Sequence, residues 1–92
     1  MTVIVYSTPR CPQCNATKRQ LDRMGVPYRQ IDVTVDTEAS AMLRAAGYRQ
    51  APVVMAGDRV WTGYRPDLLR TLAERHDEES HAASHTAAAV AA

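Results

Sequence analysis

The sequence predicts a single α/β domain with its elements in the order β-α-β-α-β-β-α. Three observations carry that prediction. Ninety-two residues suffice for one core and no more. Short β-branched or aromatic runs alternate with stretches whose apolar residues repeat at helical spacing. Glycines and prolines stand where each element has to stop.

Val3 to Tyr6 forms the first strand, ended by Ser7-Thr8-Pro9. A helix starts at Pro12, and Cys14, Thr17, Leu21 and Met24 share one of its faces. Gly25 and Pro27 close it. Tyr28 to Val33 reads as a second strand, packing through Tyr28, Ile31 and Val33. Asp36 or Thr37 caps a second helix with a stripe of Ala39, Met42, Leu43 and Ala46, closed by Gly47. Val53–Ala56 and Arg59–Thr62 flank Gly57-Asp58 and predict a hairpin, with the turn residues in reverse of the usual Asp-Gly order. Pro66 and Asp67 open a third helix that buries Leu68, Leu69 and Leu72. The domain is expected to span residues 1–76. Residues 77–92, rich in Ala and His with Val90 as the sole large apolar residue, are expected to form a mobile tail.

Charge and composition exclude several classes. A net charge of +1 with no Lys/Arg cluster excludes nucleic acid as the partner. The apolar start stops at Ser7 and lacks the basic leader and length of a signal peptide. No stretch approaches the roughly 20 apolar residues of a membrane span. The chain therefore reads as soluble and cytoplasmic, a setting in which two cysteines serve catalysis or metal more often than a structural disulfide; a monomer is expected.

Those cysteines are the strongest chemical signal. Cys11-Pro12-Gln13-Cys14 lies where a strand runs into a helix within a βαβ pattern, the context of a redox C-x-x-C. At the helix start, Cys11 meets unpaired N–H groups and the positive end of the macrodipole, which favour a thiolate. Lowering a thiol pKa from about 8.5 to about 7 raises the thiolate fraction at neutral pH from a few per cent to roughly half. Three-residue spacing puts Cys14 on the same face, within disulfide reach. Pro12 fixes φ at the start of the helix. Cys11 is then the attacking thiol and Cys14 the resolving one. A zinc site would need two further ligands; His81 and His85 have H-x₃-H spacing, but 66 residues lie between Cys14 and His81, against roughly 12–15 in a compact finger. A purely structural disulfide across so short a loop would remove little chain entropy.

Four segments resemble the glutaredoxin-like proteins of the NrdH-redoxin type, within the thioredoxin fold. They are Cys11 to Arg19, Gly47 to Val54, Ala56-Gly57-Asp58, and Trp61-Thr62-Gly63-Tyr64-Arg65-Pro66-Asp67. With the element order, the likeness covers residues 2–75. The last segment is far more specific than the C-x-x-C alone. The resemblance implies a thioredoxin-like three-layer sandwich around a mixed four-stranded sheet. It also implies a redox-active Cys11–Cys14 disulfide with no bound cofactor. Electrons would come from NADPH indirectly, through thioredoxin reductase, and go to the large subunit of class Ib ribonucleotide reductase. Glutaredoxins usually show C-P-Y-C, T-V-P and G-G-x-D-D; here Gln13, Gln50-Ala51-Pro52 and Gly63 to Asp67 stand in those places. One departure runs the other way: Pro12 stands where the NrdH type commonly has Val or Met, and it bears on redox potential and donor preference.

The resemblance further implies a cis bond before Pro52, which would present the backbone of Ala51 to a partner peptide. Trp61 and Tyr64 suit a core, yet flanking Gly63 they can also form an exposed apolar patch. That patch and Arg65, as a residue that fixes the loop, complete the expected partner-binding set. Two rival functions remain at this level: an enzyme using a low-molecular-weight thiol such as glutathione, and a non-catalytic zinc- or thiol-binding adaptor.

Overall fold

A computed structural model describes the backbone of residues 2–91 and the side chains of residues 2–78. The elements follow the expected order: β1 (Val3–Ser7), α1 (Pro12–Arg23), β2 (Arg29–Asp32), α2 (Thr37–Ala45), β3 (Val53–Ala56), β4 (Arg59–Thr62) and α3 (Pro66–Ala91). The four strands form one mixed sheet in the order β2-β1-β3-β4. β1 pairs with β2 in parallel, which requires a crossover, and α1 supplies it. β1–β3 and β3–β4 are antiparallel.

Alternation along the strands divides the core in two. The register aligns Val5 with Val54 and Val54 with Trp61. These side chains share one face with Val3 and Ala56, covered by Leu21 of α1 and by Leu69 and Leu72 of α3. Tyr6 opposes Val53, and these two occupy the other face, covered by Ala39 and Leu43 of α2. A one-residue slip would exchange the two sets, so burial pins the register.

Local signals explain the ends. The Asp36 carboxylate accepts from the Ala39 N–H at 2.9 Å, which makes Asp36 and not Thr37 the cap of α2. Gly57 has φ +62 while Asp58 stays at negative φ, the pattern of a II′ turn. Gly therefore has to come first in this hairpin, and the reversed order is the one the turn requires.

Three expectations need correction. β2 is four residues long, shorter than Tyr28 to Val33. In α2, Met42 is 43% exposed and Ala46 also faces outward, so the buried stripe is reduced to Ala39 and Leu43. The third helix does not close near His76 but continues to Ala91. Neither Gly nor Pro follows Pro66, and alanine is the strongest helix former, so nothing in the backbone chemistry stops it. The helix runs through residue 76, and we propose that the folded domain nonetheless ends there.

Candidate active site

The site lies where β1 runs into α1. Arg10 adopts φ +58, unusual for a residue with a Cβ, and turns the chain sharply into the helix. Cys11 is the helix N-cap and Pro12 occupies the first turn. The extended backbone of Cys11 (φ −110, ψ 104) aims its Sγ back over the first turn, where the Cys14 N–H donates to it at 3.1 Å. An amide N–H on the sulfur and the positive end of α1 both stabilise a thiolate relative to the thiol.

Cys11 and Cys14 are joined by a disulfide, with Cα atoms 5.2 Å apart. Their surroundings differ sharply. Cys11 is partly exposed, whereas Cys14 is fully buried with Thr17 and Leu21 on the inner face of α1. The Thr17 hydroxyl is satisfied by donating to the Gln13 carbonyl at 2.8 Å, so a buried polar group below the pair costs nothing in unmet hydrogen bonds.

Two other segments close around the pair. The Ala51–Pro52 bond is cis, Pro52 is buried, and the Ala51 carbonyl oxygen lies 3.9 Å from Cys11 Sγ. On the other side, the Tyr64 N–H donates to Gln13 Oε1 at 3.1 Å, although 51 residues separate the two in sequence. An N–H can only donate, so the Gln13 atom facing it has to be the amide oxygen. Gly63 makes this approach feasible: its φ is +82, and a Cβ there would stand 3.2 Å from Gln13 Oε1. The Gly63 N–H donates to the Pro52 carbonyl at 2.9 Å, joining the two flanking segments.

Arg65 grips Asp67 through two contacts, Nε to Oδ1 at 3.2 Å and Nη2 to Oδ2 at 3.1 Å. Hydrogen bonding from Arg65 holds the Asp67 carboxyl below its ordinary range, and Asp67 correspondingly raises Arg65. Arg65 thus folds back onto the start of α3.

The structure brings Cys11, Pro12, Gln13, Cys14, Ala51, Pro52, Gly63, Tyr64 and Arg65 to one end of the sheet. Trp61 departs from expectation. It is 7% exposed and belongs to the core between the sheet and α3, so of the two aromatics only Tyr64 reaches the surface. Its position on β4 opposite Val54 decides this, because strand alternation turns it inward. Sequence reading missed two contributors. The Gln13–Tyr64 bond spans two distant segments and leaves no local signal. A cavity of about 310 Å³ beside Ala51, reaching Tyr48, Arg44 and Arg49, forms only when α2 packs on the sheet. Among the described residues no His/Cys/Asp/Glu group could hold a metal ion; the side chains of His81 and His85 lie outside those described.

The glutaredoxin family profile matches residues 3–61. The chain is 42% identical to the glutaredoxin-like protein NrdH of Escherichia coli K12 over 89 residues, which is 97% of this chain and 100% of that one. It is 43% identical to the NrdH protein of Salmonella typhimurium LT2 over 72 residues, 78% of this chain and 89% of the relative. The solved structure of E. coli NrdH-redoxin, a protein described as having a thioredoxin-like activity profile, superposes with a TM-score of 0.77 at 44% identity. That superposition covers 78% of this chain and 95% of the other.

Proposed function

The chain belongs to the glutaredoxin family as a thiol–disulfide oxidoreductase of the NrdH type, and we propose that it is a dithiol carrier that reduces disulfides in partner proteins through Cys11 and Cys14. One observation carries the assignment of roles: a partly exposed Cys11 sulfur receives an N–H at the helix start, while Cys14 is sealed one turn behind it. In the reduced protein, the Cys11 thiolate attacks one sulfur of a partner disulfide. A mixed disulfide forms and the other partner sulfur leaves as a thiolate. Cys14, deprotonated, then attacks Cys11 Sγ, releasing the second partner thiolate and closing Cys11–Cys14. Two electrons pass to the partner. The Ala51 carbonyl beside Cys11 supplies a main-chain group with which the partner segment can pair.

The partners that fit best are class Ib ribonucleotide reductase as acceptor and thioredoxin reductase, fed by NADPH, as donor. Support comes from the loop after β4. Its charged pair, Arg65 and Asp67, is engaged internally, and Gln13 is engaged with the Tyr64 backbone. Of these groups Arg65 is the one that could attract the carboxylates of a small thiol, and Asp67 competes with them for it. The rival reading, a donor such as glutathione, has one observation in its favour: Arg44 and Arg49 line the cavity beside Ala51.

The decisive measurement is the rate at which the oxidised protein becomes a dithiol with each donor. Rapid reduction by thioredoxin reductase with NADPH and slow turnover with glutathione are expected; a faster glutathione reaction would transfer the assignment to the rival. Cys14→Ser should trap a mixed disulfide with an oxidised partner, and Cys11→Ser should trap none. Stoichiometric zinc in the purified protein would instead favour the adaptor.

A further inference from the structure

The geometry points to the cavity beside Ala51 as an anchoring site for the stretch of a protein substrate that flanks its reactive cysteine. We propose that it selects an acidic side chain next to an apolar one. The inference rests on the disulfide-reductase reading above and names what that reductase recognises.

Three observations converge on it. Ala51 lines the cavity, and its carbonyl stands 3.9 Å from Cys11 Sγ, so a chain whose cysteine is bonded to Cys11 passes over the opening. The walls are of two kinds. Tyr6, Val33, Leu43 and Val53 provide an apolar side, while Arg44 and Arg49 stand on the rim with no carboxylate among the lining residues. Both arginines are exposed, and Arg44 reaches only as far as the Ser40 hydroxyl, at a long 3.4 Å. The volume of about 310 Å³ is at the small end of ligand pockets, enough for one or two side chains. An acidic residue would meet two guanidinium groups, and its apolar neighbour would lie against the side formed by Tyr6, Val33, Leu43 and Val53. Glutathione could use the arginines, but it carries no large apolar group for the wall.

Two cyclic peptides test this, each closed by one disulfide and differing only in the residue pairs beside the first cysteine, Glu-Leu in one and Lys-Ser in the other. Pre-reduced protein, freed of excess reductant, should reduce the Glu-Leu peptide about tenfold faster below saturation, the ratio expected from one charge-assisted hydrogen bond. The difference should reside in KM, and the ratio should fall severalfold in Arg44→Gln/Arg49→Gln, leaving only the preference for Leu over Ser that the apolar wall provides. Neutral hydroxyethyl disulfide, given to the unaltered protein, separates the two levels of the argument. If that compound is not reduced, the disulfide-reductase reading itself fails. If it is reduced but the peptides are not distinguished, the anchoring site alone is wrong. Competition by free glutathione against the Glu-Leu peptide, abolished in the double variant, would also overturn the proposal by making the cavity a small-thiol site.

Discussion

The two faces of the sheet are built from the same strands and end up with different duties. On one face, α1 and α3 seat Leu21, Leu69 and Leu72 against Val5, Val54 and Trp61, and Leu21, Leu69, Val5 and Val54 are completely buried. On the other, α2 offers only Ala39 and Leu43, leaves Met42 in solvent, and stands over a cavity. Two helices on a sheet make a close-packed interior; one short helix leaves room. The difference teaches that in so small a domain stability and recognition can be divided between faces, with the reactive pair at the end where they meet.

Core truncations should break or sharpen this contrast most. Leu69→Ala, at a fully buried site, should cost about 3 kcal/mol in chemical denaturation. Leu43→Ala already borders empty space and should cost about half of that, since fewer packed neighbours are lost. Equal losses would mean that the second face is as tightly built as the first.

Next come the residues at the junction. Gly63→Ala places a Cβ at φ +82 and 3.2 Å from Gln13 Oε1, and should cost about 1–2 kcal/mol. Gln13→Ala removes one partly exposed hydrogen bond and should cost about 1 kcal/mol or less. In the combined variant the losses should be less than additive, because Gln13 is what the new Cβ meets. Strict additivity would show that only the backbone conformation matters.

A smaller effect concerns the start of α3. Asp67 has its folded-state pKa lowered below 3.8, chiefly by hydrogen bonding from Arg65. Its contribution is therefore complete above the ordinary value and is lost as pH falls through the lowered one. Asp67→Asn should flatten the acid limb of a stability–pH curve, slightly, because the pair is exposed and screened by salt. An unchanged limb would leave Arg65 without influence on folding. Least of all, removal of residues 77–92 should leave the unfolding midpoint and the reduction rate almost unchanged, since that segment contains one large apolar residue, Val90. A clear drop in either would show that the end of α3 belongs to the fold.

What the sequence disclosed follows the range over which each signal acts. The stripe of Cys14, Thr17 and Leu21 and the Asp36 cap were legible because helix periodicity and capping operate within a few residues. The resemblance carried the mixed four-stranded sheet and the cis bond at Pro52, which no local pattern encodes. Arg10 gave no warning of its positive φ, because most residues that adopt it are Gly, Asn or Asp. Trp61 could be read as core or surface until its strand partner was known. Met42 fits the period of α2 but stays exposed, because periodicity does not say how much of a helix face its neighbours cover. The length of α3 escaped because its end was placed where large apolar residues stop, whereas the helix continues through the alanine-rich stretch to Ala91.

The bond from Gln13 to the Tyr64 backbone has a consequence for protein engineering. The dipeptide between the cysteines, Pro12-Gln13, looks in the sequence like a cassette that could be exchanged by itself. Here it is also a latch for a distant loop. Transplanting Pro-Tyr into positions 12 and 13 would unfasten the Tyr64 amide, and a loop grafted without Gln13 would arrive with no acceptor. The two segments are therefore one transferable unit, and chimeras that cut between them should behave worse than either parent.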